Sequence, residues 1–318
     1  MPNIGHACGH NLIATASLAA GLATASTVNR HKLPGKVVLF GTPAEEGGGG
    51  KLRLLEAGAY KDHGVDISLI SHPGITHDGA LTLTTAFNSF KVEYWGKAAR
   101  AATAPWLGIN ALDALIVAYN SISVLRQQTM PGDSIACCIT DGGATPDVIH
   151  DHAAGSFVIR ANTMKRLIEL QQKVDGCLRA GAEATGARKT WEHIIKYLDH
   201  VPNRVLASSY VRYWNSLNPP SRITLDEETR ESVSTDQGDV SHALPSISVC
   251  FAIPPGPEGG RNHTPDFEKA AGTKEAFMRC LRVGKALAGT AVDVITVPGL
   301  LDRVKEQWRK DMATGVTS

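Results

Sequence analysis

From Asn11 to about Arg30 the chain is rich in Ala, Leu, Ile and Thr at spacings that suit a helix. Lys36–Gly41 (KVVLFG) and Asp66–Ser71 (DISLIS) are short apolar runs that predict buried strands of a sheet covered on both faces. Between them, Lys51–Gly58 predicts a helix that stops at its glycine. Strand, helix and strand joined by short connections form the α/β pattern.

Near Leu81 the texture changes. Phe90, Val92 and Tyr94 alternate with Lys91 and Glu93, which predicts a strand with one packed and one wet face. Ile109, Leu112, Leu115, Ile116, Tyr119, Ile122 and Leu125 then follow a helical stripe. Strands are predicted over Ser134–Thr140 and Gly155–Ala161, and a helix over Thr163–Arg179. The order describes a small α+β layer. After Val201 the first texture returns, with Ser246–Ile253 (SISVCFAI) as a core strand and a long helix from Phe267. The organisation expected is an α/β domain built from 1–86 and 199–318, interrupted by an α+β insert over 87–198.

A length of 318 residues suits two domains, and 43% hydrophobic with 20% charged residues excludes a disordered chain. With 32 Lys+Arg against 31 Asp+Glu, no general field favours nucleic acid or an anionic membrane. No apolar run is expected to span a bilayer and no secretory signal is visible, so a cytoplasmic protein is expected. The six cysteines lack scaffold-like spacing, which fits a reducing compartment. Cys137 and Cys138 are read as core packing, without CxxC spacing.

Side chains able to bind metal gather at four places beside strands or turns. In His6-Ala7-Cys8-Gly9-His10 the i and i+2 positions of an extended segment let Cys8 and His10 reach one ion. Glu45 and Glu46 follow KVVLFGTP; adjacent carboxylates diverge, so one can ligate while the other carries protons. His72 follows DISLIS, and His263 lies in RNHTPDF after the loop beyond SISVCFAI. Taken singly, these read as a packed thiol, a solvated turn and capping histidines. Strand ends of an open α/β sheet converge on one crevice, and four segments delivering ligands there point to a metal site. Cys, His and carboxylate together suit zinc or a related transition ion. The glycine run Gly47–Gly50 is no P-loop, because Lys51 is followed by Leu52, and no G-x-S-x-G elbow occurs.

GHACGHN, GTPAEEGGGGK, SHPG, WGKAARAA, DGGATP, STDQGDVSH and NHTPDF, in this order, resemble the zinc amidohydrolase branch of the aminoacylase and carboxypeptidase G peptidases. That branch holds auxin-conjugate hydrolases, aminobenzoyl-glutamate hydrolases and dipeptidases similar to β-alanyl-lysine dipeptidase. The resemblance implies a zinc-peptidase three-layer α/β/α catalytic domain with an inserted ferredoxin-like α+β dimerisation or lid domain. It implies metal ligands at Cys8, His10, Glu46, His72 and His263, and Glu45 as general base. The cofactor implied is zinc, one ion or two, with manganese or cobalt as alternatives. Arg160, Asp147 and Gly238 are implied in substrate binding, and Arg160's planar fork suits a substrate carboxylate. The activity implied is hydrolysis of an N-acyl amino acid or dipeptide by a homodimer.

Three departures bear on that activity. The family has a further N-terminal segment with early strands, whereas this chain starts almost on the metal motif. Arg100 stands where the family usually has a histidine that steadies the tetrahedral oxyanion. Asp147 stands where the family usually has asparagine. The alternative expectation is a non-catalytic or truncated homologue that binds metal or ligand and dimerises; a third is a structural α/β protein with no site.

Overall fold

The structure, a computed structural model, describes residues 4–226 and 228–314. In chain order its elements are α1 (His10–His31), α2 (Gly50–Glu56), α3 (Ala59–Asp62), β1 (Ser68–Gly74), β2 (Leu81–Thr84), β3 (Ala86–Trp95) and β4 (Ala99–Arg100). There follow α4 (Ala111–Leu125), β5 (Ser134–Asp141), β6 (Val148–Ile149), β7 (His152–Ala161), α5 (Met164–Thr185) and β8 (Arg188–Tyr197). The chain continues with α6 (Arg204–Ser216), β9 (Glu228–Glu231), α7 (Gln237–Ala243), β10 (Ser246–Ala252), α8 (Pro265–Ala271), α9 (Lys274–Thr296) and α10 (Leu300–Thr314). Two compact units result: the chain up to Thr84 with the chain from His200 onward, and Thr85–Asp199.

The first unit is α/β. β1 and β10 pair in parallel, with His72 opposite Cys250, and β2 pairs with β9 in parallel. The core gathers Ile247, Val249 and Phe251 of β10 with Phe267 of α8 and Cys280, Val283 and Leu287 of α9. Their burial from water is the main favourable term holding the unit together. α1 presents Leu12, Ala16 and Val28 inward, and Gly284 of α9 lets the two helices approach closely.

Three sequence expectations for this unit change. α1 is, by length and composition, apolar enough to cross a membrane, although no such run was expected. Its apolar character is spread over Ala and Thr rather than large residues, so no conspicuous block announces it. Lys36–Gly41 forms no strand among the described residues: no ladder partner lies alongside it, and Leu39 is exposed. An apolar run supplies the faces of a strand, but only a neighbour supplies its hydrogen bonds. β1 runs past Ser71 to Gly74, so His72 lies within the strand, because pairing with β10 continues to Gly74 opposite Ala252.

The second unit is an antiparallel sheet of order β5-β7-β3-β8 with α4 and α5 packed on it. The alternation predicted around Phe90 is realised in β3, where Phe90, Val92 and Tyr94 are buried. Asn110 and Thr163 cap α4 and α5 by accepting the amides of Leu112 and Arg166. In α4 the buried face is Ala111, Ala114, Leu115, Ala118 and Ile122, while Ile116 and Tyr119 are exposed, so the stripe is narrower than its apolar residues suggested. β8 was not expected, because RKTWEHIIKY carries too many charged residues to alternate cleanly. Trp191 stacks on Phe90 with ring centroids 3.8 Å apart, which supplies the missing packing. Cys137 is half-buried and Cys138 exposed, so this pair is less of a core feature than its strand position suggested.

Candidate metal centre

Four segments of the α/β unit meet at one point. The first is the turn before α1. Gly9 adopts φ 78°, and a Cβ there would lie 2.5 Å from Cγ of Pro73. Glycine therefore lets the chain bring Cys8 and His10 against β1. Cys8 Sγ then lies 3.5 Å from Nε2 of His72. The second segment is the Pro43–Gly50 loop, in which the amides of Gly48 and Gly49 donate to Ala44 O at 2.7 and 2.9 Å. This tight loop presents Glu45 and Glu46 to His10, with His10 Nε2 lying 3.8 Å from Glu45 Oε2 and 3.4 Å from Glu46 Oε1. The third is β1 itself. The fourth is the loop before α8, where His263 takes a left-handed backbone, φ 72°, and places Nε2 3.4 Å from Glu46 Oε1.

Three groups of ligand atoms lie within 4.8 Å of one another: Cys8, His10 and His72; Cys8, Glu46 and His263; His10, Glu45 and Glu46. Cys8 belongs to two of them. Glu46 and His263 are exposed and form the open side, while Cys8, His10 and His72 are half-buried.

The protonation chemistry suits a cation. Burial pushes the Cys8 thiol up to about 12, with the nearby Glu46 charge adding to it. Burial also raises Glu45, again reinforced by Glu46 and opposed by Lys51. The same desolvation lowers His10 and brings His72 down to about 4. Neutral imidazoles offer lone pairs. His72 Nδ1 lies 2.9 Å from Pro73 O; a carbonyl only accepts, so Nδ1 carries the hydrogen and Nε2 faces Cys8 with its lone pair. His10 Nε2 is buried without a hydrogen bond. A buried, unsatisfied lone pair beside a thiol and two carboxylates is what a transition ion would satisfy.

Asn262 was not singled out from the sequence. Its Nδ2 donates to Pro73 O at 3.1 Å and Cys8 O at 3.3 Å, tying the His263 loop to two other ligand segments. Its place beside His263 in RNHTPDF was the available signal. Asp266, equally unremarked, accepts the amide of Gly260 at 2.8 Å and shapes the approach to His263.

The other expected site residues lie elsewhere. Gly238 is buried in the first turn of α7, its carbonyl accepting from Ser241 Oγ. Arg100, Asp147 and Arg160 belong to the other unit. Arg100 is exposed on β4, opposite Val148, and the exposed Asp147 accepts a hydrogen bond from Thr145. Arg160 lies on β7 with its guanidinium 4.6 Å from the centroid of Phe87.

Residues 2–288 match peptidase family M20/M25/M40. The chain belongs to this family. Membership makes it a hydrolase of peptide or amide bonds. It is 39% identical over 312 residues to a Xaa-Arg dipeptidase of Mus musculus, covering 97% of this chain and 71% of that protein. It is 26% identical to a p-aminobenzoyl-glutamate hydrolase of Escherichia coli, covering 95% of this chain and 73% of the relative. Among solved structures, a dinuclear metal-binding peptidase of this family from Bacillus subtilis superposes with a TM-score of 0.64 at 18% identity, covering 91% of this chain and 74% of that one. This last likeness establishes the M20 α/β fold.

Proposed function

We propose that this M20 hydrolase is metal-dependent and cleaves a dipeptide or N-acyl amino acid, with Cys8, His10, Glu46, His72 and His263 holding the metal and Glu45 acting as general base. The observation that carries the reading is the convergence of these side chains, with ligand atoms within 4.8 Å in three overlapping groups. Zinc suits the donor set, and a Cys8 shared by two groups is compatible with one ion or a pair. When bound, the metal supplies Lewis acidity, drawing electron density from the scissile carbonyl and acidifying water.

The remaining work falls to this chain's own residues. Glu45 is half-buried, and its carboxyl, raised by burial and by Glu46, is better matched to proton transfer near neutrality than an ordinary carboxylate. It takes the proton of the attacking water and passes it to the departing amine. The guanidinium of Arg160 pairs with the substrate carboxylate through two parallel hydrogen bonds. Gly238 and Asp147 border the substrate, and Arg100 donates to the developing oxyanion in the role a histidine usually fills. The mouse relative's name points to a dipeptide with a C-terminal arginine as the first substrate to try. A cytoplasmic homodimer completes the proposal.

Replacing Glu45 by Gln tests the mechanism. Turnover of dipeptides and N-acyl amino acids should fall at least about a thousandfold, while zinc content measured by plasma emission stays at the wild-type ratio. A Glu45→Gln protein of undiminished kcat removes the mechanism. Bound zinc in a wild-type chain that hydrolyses nothing would favour a non-catalytic homologue instead.

A further inference from the structure

The reaction chemistry leaves Lys51 without a role, yet Lys51 is among the most deeply buried charges of the chain. It is 5% exposed, and its partner Asp236 is fully buried. Lys51 Nζ donates to Asp236 Oδ1 at 2.6 Å, and the Lys51 backbone N–H donates to Asp236 Oδ2 at 2.9 Å. Both carboxylate oxygens of Asp236 therefore hold one residue, through its side chain and through its main chain.

What this pair joins is informative. Lys51 closes the loop that carries Glu45 and Glu46. At its other end the loop is cinched by the amides of Gly48 and Gly49 on Ala44 O. Gly50 sits so close to Pro43 that a Cβ would lie 1.9 Å from the Pro43 carbonyl oxygen. Asp236 belongs to STDQGDVSH and immediately precedes α7. The neighbouring Thr235 donates a hydrogen bond to the Glu45 carboxylate. One short segment, Thr235–Asp236, thus grips the loop at both Glu45 and Lys51. A buried ion pair adds little net stability over an apolar pair of similar shape. Its directional contacts do restrict where the attached backbone can sit.

We propose that Lys51 and Asp236 form a buried latch that positions the Glu45–Glu46 turn, holding the base and the ligand carboxylate against His10 and His263. Both are positioning residues. They touch neither substrate nor metal and act through the loop. The catalytic consequence rests on the metallohydrolase reading above; the mechanical one does not.

The test is the double substitution Lys51→Met/Asp236→Asn in the full chain. It removes both charges together, so no lone ion is left buried, and the asparagine oxygen can still accept the N–H of position 51. Circular dichroism should show a cooperative thermal transition. Hydrogen exchange on the metal-free protein should then be at least tenfold faster at the amides of Gly48 and Gly49, with the β1–β10 ladder unchanged. In the zinc-loaded protein kcat should fall ten- to a hundredfold with KM within twofold, and zinc affinity by chelator competition should weaken about tenfold. Unchanged exchange at Gly48 and Gly49 overturns the latch. Faster exchange with undiminished kcat and zinc affinity overturns its positioning role. A wild-type chain that neither binds zinc nor hydrolyses peptides overturns the metallohydrolase reading, and exchange alone then decides whether the pair holds the loop.

Discussion

His72 makes the metal-free centre sensitive to acid. Burial lowers its imidazole from 6.5 to about 4, so the folded chain holds it neutral where an unfolded chain would protonate it. Its contribution is therefore complete above pH 6.5 and is lost as pH falls toward about 4, by up to about 3 kcal/mol. Urea unfolding of the metal-free protein should show a falling midpoint across that window, and His72→Asn should flatten the decline. Cys8 acts in the opposite sense on metal uptake. A thiol pushed up to about 12 must lose its proton to ligate, so zinc binding releases protons and tightens as pH rises. Calorimetry in buffers of different ionisation enthalpy measures that release, and Cys8→Ser should diminish it. Asn262 holds ligands without being one; Asn262→Ala should weaken zinc binding about ten- to a hundredfold, read by chelator competition.

Helix starts and loop closures carry the ligands. His10 is the first residue of α1, and Gly9 ahead of it takes a backbone conformation that side chains rarely adopt. Gly9→Ala combines that strain with a clash against Pro73; it should cost about 1–3 kcal/mol and weaken zinc binding in the same protein, since both faults move Cys8 and His10. Far from the centre, Asp293 of α9 accepts hydrogen bonds from Ser209, Arg212 and Tyr213 of α6. Burial alone would raise its carboxyl, yet these donors bring it below the usual range. Asp293→Asn should lower stability by about 1–3 kcal/mol at neutral pH without changing zinc affinity, as thermal melts will show. Lys36–Gly41 teaches the limit at this scale. An apolar run names the residues that could form a strand, and only a hydrogen-bonding neighbour makes it one.

At the scale of the whole molecule, the chain forms two compact units, each with its own apolar core. In the inserted unit β5 and β8 lie at the sheet edges, where a further strand can add. A homodimer formed through this unit is the expected assembly; sedimentation equilibrium should report twice the chain mass at micromolar concentration, and a monomer there counts against it. Candidate ligands were legible because each stands in a short motif beside an apolar run, whose chemistry survives without coordinates. The supports were not, because Asn262 and Asp236 act over separations of 254 and 185 residues.

Taken alone, the amino-acid order determined the alternation of α/β and α+β textures and the identity of Cys8, His10, Glu45, Glu46, His72 and His263, since periodicity and donor chemistry are local properties. Tertiary structure decided that these six meet, that β8 is a strand although its charges hide it, and that Lys36–Gly41 is not. It also decided that a lysine beside a glycine run is buried against Asp236. Each of those outcomes depends on which distant segment lies alongside, a relation between residues that no single stretch of chain contains.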